Sequence, residues 1–256
     1  GVGIGPEGGI DIVDTIKPLD IIVSKAHVNN GSIVVGEEWV LKVNKGTRQG
    51  TARSHTATHM LQAALRQILG EHVKQAGSLV APDRLRFDFL HFKPLSEGEI
   101  RDIEGILNEK IMDNVPVITD VMDIDNALKG GATALFGEKY GDKVRVVQVQ
   151  DFSKELCGGT HCKATGDIGV IKIISESGIA SGVRRIEAFT GEASLKYLND
   201  TEGRLEEICE AVKANPDDVA AKTDRLISTV KEQEKEIARL KEMLAASKAK
   251  DVTSEI

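Results

Sequence analysis

Two pairs of potential metal ligands, far apart in the sequence, constrain this chain more than any other feature. His55 and His59 stand four positions apart, and so do Cys157 and His161. One thiolate and three imidazoles form a ligand set that suits zinc, whose tetrahedral sites take sulfur and nitrogen donors. If both pairs bind one ion, the fold must bring two distant segments together.

The first pair lies in a segment with the periodicity of a helix. Small and apolar residues recur at helical spacing after His59, and Gly70 stands where such a helix would end. The sequence therefore predicts an amphipathic helix from about Ser54, its N-cap, to Leu69. Residues four apart share a face of a helix, so both imidazoles can point at one ion.

The second pair requires a different backbone, because Gly158 and Gly159 separate its ligands and glycine is unfavourable inside a helix. We expect a tight loop between strands at 143–150 and 169–175. Cys162 adjoins His161 and could compete as a ligand. A histidine pair or a single cysteine is common without a metal, but two such pairs in one chain favour zinc.

Thr56 stands where a His-Glu-x-x-His protease has its glutamate, which argues against a metalloprotease.

Composition limits the remaining possibilities. The chain has 256 residues with 41% hydrophobic content, enough for more than one domain. Three cysteines argue against a disulfide framework and for a reducing compartment, so we expect a cytoplasmic protein. The first residue is not Met, and we expect a fragment of a longer protein. The net charge of −7 is concentrated after residue 190 and neither supports nor excludes RNA binding.

The pattern of strands and helices predicts an α+β fold with three parts. Residues 1–50 are expected to be a β-barrel portion, with strands at 21–23, 32–35 and 39–43 and turns at 29–31 and Gly46. In the middle part, Ser96 and Glu99 predict a capping box for a helix at 96–114. This part, 51–190, is expected to place a sheet behind the metal helix, with strands at 85–89, 117–121, 143–150, 168–175 and 184–190.

The last part, 191–256, is predicted to be helical. Two helices, 192–212 and 216–250, are separated at Asn215 and Pro216, with Asp217 and Asp218 in the first turn of the second. The second helix carries a heptad seam at Val219, Thr223, Leu226, Val230, Gln233, Ile237, Leu240 and Leu244. The short break favours a helical hairpin over an intermolecular coiled coil.

A series of motifs in this order resembles the editing region of bacterial alanyl-tRNA synthetases. They are His55-Thr-Ala-Thr-His59, Val73-Lys-Gln-Ala-Gly-Ser78, Arg86-Phe-Asp-Phe89, Cys157-Gly-Gly-Thr-His161 and Ile179-Ala-Ser-Gly-Val-Arg-Arg-Ile-Glu187. The resemblance covers nearly the whole chain. Threonyl-tRNA synthetase editing domains are a weaker match, since they usually lack the Gly-Gly-Thr between Cys and His.

The resemblance implies a deacylase that removes serine or glycine from mischarged tRNA(Ala), with zinc on the two ligand pairs and a role for Gln75. The ligase active site of the family would lie outside this chain, and a homodimer could form through the C-terminal region. Two alternatives stay open: a noncatalytic module that docks tRNA or bridges a dimer around a structural zinc, and threonyl-type editing. Four protein ligands also resemble a closed structural site.

Ester hydrolysis with selection for serine requires polar groups near the ion. A site that hydrogen-bonds the serine hydroxyl discriminates far better than an apolar pocket. The candidates are Thr56, Thr58, Gln75, Ser78 and Thr160, of which we select Gln75, Thr56 and Thr160 as the catalytic set. Arg184 and Arg185 are candidates for phosphate binding, and on a strand they point to opposite faces, so at most one is expected to serve.

Overall fold

The computed structural model describes residues 1–134 and 140–254. The chain forms two compact units, Gly1–Leu195 and Lys196–Ile256. The helices α1 to α5 cover Lys45–Leu69, Glu97–Met112, Ile124–Lys129, Glu192–Val212 and Val219–Ser254. The strands β1 to β11 cover Val2–Gly5, Gly8–Ile16, Val23–Asn30, Val40–Lys42, Gln75–Val80, Arg84–Leu90, Val117–Asp123, Lys143–Val149, Ser153–Leu156, Ile171–Ala180 and Val183–Thr190. The α+β class is confirmed, with antiparallel sheets packed on helices.

The first four strands form an antiparallel sheet in the order β3-β2-β1-β4. Among the described residues no pairing of β3 with β4 closes this sheet into a barrel. The strand predicted at 32–35 was wrong, because that segment forms turns and irregular chain. The turn predicted at 29–31 begins late, since Asn30 stays in the ladder and its side chain accepts the backbone N–H of Gly9 at 2.7 Å.

Helix α1 begins well before the predicted start at Ser54. Asn44 is its N-cap and accepts the backbone N–H of Thr47 at 2.9 Å. Ser54 is instead fully buried within the helix, where its hydroxyl hydrogen-bonds Thr190 at 3.0 Å. The turn predicted at Gly46 was wrong for the same reason: the asparagine cap outweighs the low helix propensity of the glycine. The predicted end is confirmed, with Gly70 at φ 111°.

A second antiparallel sheet, in the order β10-β11-β6-β5, packs on α1 and α2. The capping box of α2 is confirmed, with reciprocal hydrogen bonds between Ser96 and Glu99. The largest fully buried side chains of this layer are Met60, Leu61, Leu65, Leu85, Phe87, Phe89, Ile103, Leu107, Ile171 and Ile186. The strand predicted from residue 168 begins instead at Ile171, because Thr165–Ile168 forms a turn of 3₁₀ helix. Strand β5 was not predicted.

A third sheet, β7-β8-β9, carries the second ligand pair. Alternate residues of β8 face different cores: Val147 and Val149 contribute to the main core, and Val144 and Val146 to a smaller one. Leu156 on β9 joins the smaller core. Cys157 follows β9 directly and begins the loop that the two glycines predicted.

The second unit contains most of α4 and all of α5, joined by a short connection. The described residues of the two helices make few contacts with each other, so the helical hairpin stays a prediction. The predicted bounds of α4 are confirmed. Asp217 and Asp218 precede α5 instead of lying in its first turn, because residues 216–218 form a turn before the helix begins at Val219. The apolar seam of α5 is exposed from Leu226 to Leu244. In the described part of the chain, no helix combines the length and hydrophobicity that crossing a membrane requires.

Candidate metal centre

The two ligand pairs meet at one point of the first unit. The potential ligand atoms of four residues lie within 4.8 Å of one another, and this four-ligand cluster consists of His55, His59, Cys157 and His161. Helix α1 supplies the first two on one face, one turn apart, and the loop after β9 supplies the other two. The fold thus brings together the four residues that the spacing selected, and together they could hold a metal ion.

The loop is fixed by Arg145 of β8. The backbone N–H of Cys157 donates to the Arg145 carbonyl at 2.9 Å. The Arg145 guanidinium donates to the carbonyls of Gly158 at 3.1 Å and Gly159 at 2.5 Å. A β-carbon on Gly159 would overlap the imidazole of His55. Glycine at 159 therefore permits the close approach of loop and helix, and Arg145 is a functional candidate that the sequence pattern did not reveal.

The three imidazoles and the thiol surround a common space. The ring centroid of His55 lies 5.1 Å from that of His59 and 4.4 Å from that of His161, and its Nε2 lies 3.3 Å from Cys157 Sγ. The Nε2 atoms of His59 and His161 are buried without a hydrogen-bond partner among the described residues. A buried polar atom without a partner is costly, and a bound cation would satisfy both. The orphaned nitrogens and the sulfur donor fit zinc.

The cluster favours a thiolate. Burial opposes ionisation of Cys157, but the three surrounding imidazoles, those of His161, His55 and His59, together lower the pKa of its thiol to about 3. Burial likewise opposes the charge on His59, while Cys157 and Glu155 together raise the pKa of its imidazole to about 10. Burial lowers the pKa of His161. Thiolate and neutral imidazole are the forms that bind metal, so a cation would displace the proton on His59.

A carboxylate lies directly behind the cluster. Glu155 accepts a hydrogen bond from Nδ1 of His59, on the ring edge opposite the orphaned Nε2. Both side chains are buried, at 6% and 8% exposure respectively. The sequence analysis missed Glu155, because it predicted no strand at 153–156 that would place this side chain on the same face as Cys157.

Thr56 ties the loop to the helix. Its buried hydroxyl donates to the Ala52 carbonyl at 2.9 Å, accepts the backbone N–H of Cys162 at 3.0 Å and lies 3.5 Å from His161 Nδ1. Thr58 donates to the Ser54 carbonyl at 2.7 Å, an ordinary contact within a helix.

Cys162 is not among the converging ligands. Its thiol packs against the main core, and burial raises its pKa.

The remaining polar candidates lie in two places. Gln75 and Ser78 are on β5, where the Gln75 amide donates to the Ser78 hydroxyl at 3.2 Å. Within the described ranges no hydrogen bond joins Gln75 to the four-ligand cluster. Thr160 is exposed in the loop and lines a cavity of about 660 Å³. His161 lines the same cavity, which therefore adjoins the cluster.

This cavity has a mixed but partly basic lining. Its charged residues are Arg48, Arg53, Lys163, Asp167 and Glu192. Arg53 donates through Nε to the backbone carbonyl of Asp167 at 2.9 Å. The Asp167 carboxylate accepts the backbone N–H groups of Lys163 at 3.1 Å and Ala164 at 3.2 Å. The volume of the cavity is that of sites for small ligands.

Arg184 and Arg185 are both engaged with carboxylates. Arg184 forms a two-point contact with Glu176 at 2.5 and 2.6 Å, and Arg185 forms one with Asp88 at 2.7 and 2.8 Å. Two parallel N–H···O bonds are the strongest arrangement for this pair of groups. Each cation is therefore balanced within the sheet, which weakens the case for either as a phosphate ligand.

Comparison with known proteins identifies one domain. Residues 144–187 match the family model described as the threonyl and alanyl tRNA synthetase second additional domain. This range contains Glu155, Cys157 and His161, whereas the two histidines of α1 lie outside it.

Similar proteins extend the match to almost the whole chain. The chain is 49% identical to an alanine–tRNA ligase of Halorhodospira halophila over 91% of its own length, 50% identical to that of Acetivibrio thermocellus over 88%, and 47% identical to that of Carboxydothermus hydrogenoformans over 96%. These matches span 27%, 26% and 28% of the length of the respective relatives. The chain is therefore homologous to a segment that makes up about a quarter of the length of these alanine–tRNA ligases.

Proposed function

We propose that this chain is an editing region that hydrolyses the ester of Ser-tRNA(Ala) or Gly-tRNA(Ala) at a zinc-containing site, acting in the cytoplasm. The observation that carries the proposal is the four-ligand cluster with its two orphaned imidazole nitrogens, in a chain homologous to alanine–tRNA ligases. We divide the chain functionally into a β-sheet part at 1–50, a deacylase part at 51–190 and a helical part at 191–256. Helix α1 runs across the first of these divisions.

The proposed chemistry requires polarisation of an ester carbonyl and placement of a water molecule. A zinc ion in the four-ligand cluster would supply Lewis acidity at the carbonyl. Thr56 would hold His161 and the loop in register with α1, through its contacts with Cys162 and the helix backbone. Thr160, exposed beside His161, would contact the aminoacyl group directly.

Selection against alanine is assigned to hydrogen bonds with the serine hydroxyl. A site that hydrogen-bonds the serine hydroxyl provides much stronger discrimination than a difference in apolar contact. We assign this role to Gln75 and Thr160. Gln75 would exchange its present bond with Ser78 for one to substrate.

The cavity beside the cluster is the proposed position of the tRNA acceptor end. Its partly basic lining, with Arg48, Arg53 and Lys163, suits the phosphates of a single-stranded end better than the paired Arg184 and Arg185 do. Because His161 lines both cavity and cluster, an RNA end in the cavity would present its terminal ester to the metal. A homodimer through the C-terminal region of a longer protein stays a proposal.

The direct test is release of the amino acid from purified mischarged tRNA. We expect the 256-residue chain to hydrolyse Ser-tRNA(Ala) faster than Ala-tRNA(Ala), and Thr160→Ala to reduce this preference. Tight binding of tRNA(Ala) without release of serine would favour the noncatalytic module. Faster hydrolysis of Ser-tRNA(Thr) than of Ser-tRNA(Ala) would favour threonyl-type editing.

A further inference from the structure

Strand β9 and the residue that follows it place a carboxylate and a thiol on the same side of the sheet. Glu155 precedes Cys157 by two residues, and the Cys157 backbone continues the pairing with β8 through its bond to the Arg145 carbonyl. Residues two apart on an extended strand share a face. Leu156, between them, points the other way into the smaller core. The strand therefore aims Glu155 and Cys157 together at the histidines of α1.

We infer that Glu155 is a positioning residue of the metal centre, which orients His59 toward the ion and supplies a second negative charge beside it. The inference rests on the proposed zinc centre and adds to it a residue outside the predicted ligand set. Of the three imidazoles, His59 is the one with a carboxylate partner in the described part of the chain.

The first argument is the tautomer of His59. A carboxylate accepts hydrogen bonds, so its contact with Nδ1 places the ring hydrogen there. The lone pair then lies on Nε2, which is buried and has no partner in the described ranges. His59 itself is one of the four converging residues. The same contact fixes the rotation of the ring. Metal-bound histidines generally use such a partner, which also makes the nitrogen a stronger donor.

The second argument is the balance of charge. A zinc ion with one thiolate and three neutral imidazoles carries a net charge of +1. Glu155, with only 6% of its side chain exposed, reduces that total to zero within the same buried region. A buried charge without a partner of opposite sign is costly, whether that charge belongs to the metal centre or to the carboxylate. The ion and Glu155 therefore stabilise each other.

The test is the zinc dissociation constant of the purified chain, measured by competition with a chromogenic chelator. We expect Glu155→Gln, which keeps the size of the side chain and removes its charge, to weaken zinc binding about 10- to 100-fold. Glu104→Gln is the matched control, because Glu104 is a largely buried carboxylate that bonds Lys172 and the Ile173 backbone, away from the cluster. Its zinc affinity should equal that of the parent, with folding of each metal-free variant checked by circular dichroism.

A double-mutant cycle separates positioning from a general structural role. Glu155→Gln should weaken zinc binding more in a His55→Ala background than in a His59→Ala background, because without His59 only the effect of the Glu155 charge is left to lose. Equal additional losses in both backgrounds, or an unchanged zinc affinity of Glu155→Gln alone, would overturn the inference while leaving the metal centre intact. A parent chain that binds no zinc would overturn the proposed centre and this inference with it.

Discussion

Gly159 and His55 approach so closely that a β-carbon at position 159 would occupy the space of the imidazole ring. Gly159 belongs to the loop after β9 and His55 to α1, so the two halves of the metal centre are in close contact at this point. Since an imidazole held by packing cannot yield without leaving its ligand position, glycine at 159 is a requirement of the site and not only of the turn.

We therefore expect Gly159→Ala to reduce zinc affinity about 5- to 150-fold while the chain stays folded. The added methyl group must displace His55 or the loop, and overpacking of this kind costs about 1–3 kcal/mol. Gly158→Ala is the control, because a β-carbon there would meet nothing within 4 Å. Isothermal titration with zinc distinguishes the two variants. Equal affinities would contradict the steric account.

Removing the Arg145 guanidinium should loosen the same loop from the other side. Arg145→Ala leaves the carbonyls of Gly158 and Gly159 without their charged donor. We expect a loss of about 1.5–3 kcal/mol in zinc binding, the range for hydrogen bonds to charged groups. Lys143→Ala, at an exposed position of the same strand, should bind zinc like the parent. An unaltered zinc affinity of Arg145→Ala would show that the backbone alone fixes the loop.

The ion pair between Asp88 and Arg185 predicts a specific acid sensitivity. The hydrogen bond from Arg185 lowers the pKa of the Asp88 carboxyl below its usual value. A lowered folded-state pKa stabilises the protein above the unfolded-state value of about 3.9, and this contribution is lost as the pH falls through the folded-state pKa. We expect Asp88→Asn to lower the free energy of unfolding by about 1–3 kcal/mol at pH 7.

Urea unfolding at several pH values tests this prediction. The difference between the parent and Asp88→Asn should shrink as the pH is lowered below about 4, because the parent's carboxylate then becomes protonated. Glu97→Gln, which replaces an exposed carboxylate, should have the same free energy of unfolding as the parent at every pH. A constant difference between the parent and Asp88→Asn at all pH values would show that the pair contributes through packing and not through charge.

The local sequence predicted those parts of the fold that depend on short-range signals. Ser96 and Glu99 identified the start of α2, and Gly70 identified the end of α1, because caps and left-handed residues act within one turn. The predicted start of α1 was misplaced because Asn44, which caps the helix, is followed by two glycines in the first turns. Glycine has a low helix propensity, so the local pattern did not indicate a helix there. The strand at 32–35 was wrong because β-branched residues fit a strand only where a partner strand pairs with them.

The metal site was the more predictable part, since ligand chemistry restricts it to few residue types. The four ligands converge because α1 and β8 pack on one core and β9 pairs with β8, an arrangement that no local pattern contains. Glu155 and Arg145 depend on that packing as well. They became visible only once strand pairing placed Glu155 behind His59 and Arg145 beside the loop.

The central claim is that serine is released from tRNA at the four-ligand cluster and that the reaction depends on the metal. The most direct measurement is the rate of Ser-tRNA(Ala) hydrolysis together with zinc content, for the parent as purified, after chelator treatment and after zinc is restored, and for Cys157→Ala. We predict that hydrolysis and zinc are lost together on chelation, return together with zinc and are both lost in Cys157→Ala. Undiminished hydrolysis by the zinc-free parent would contradict the claim.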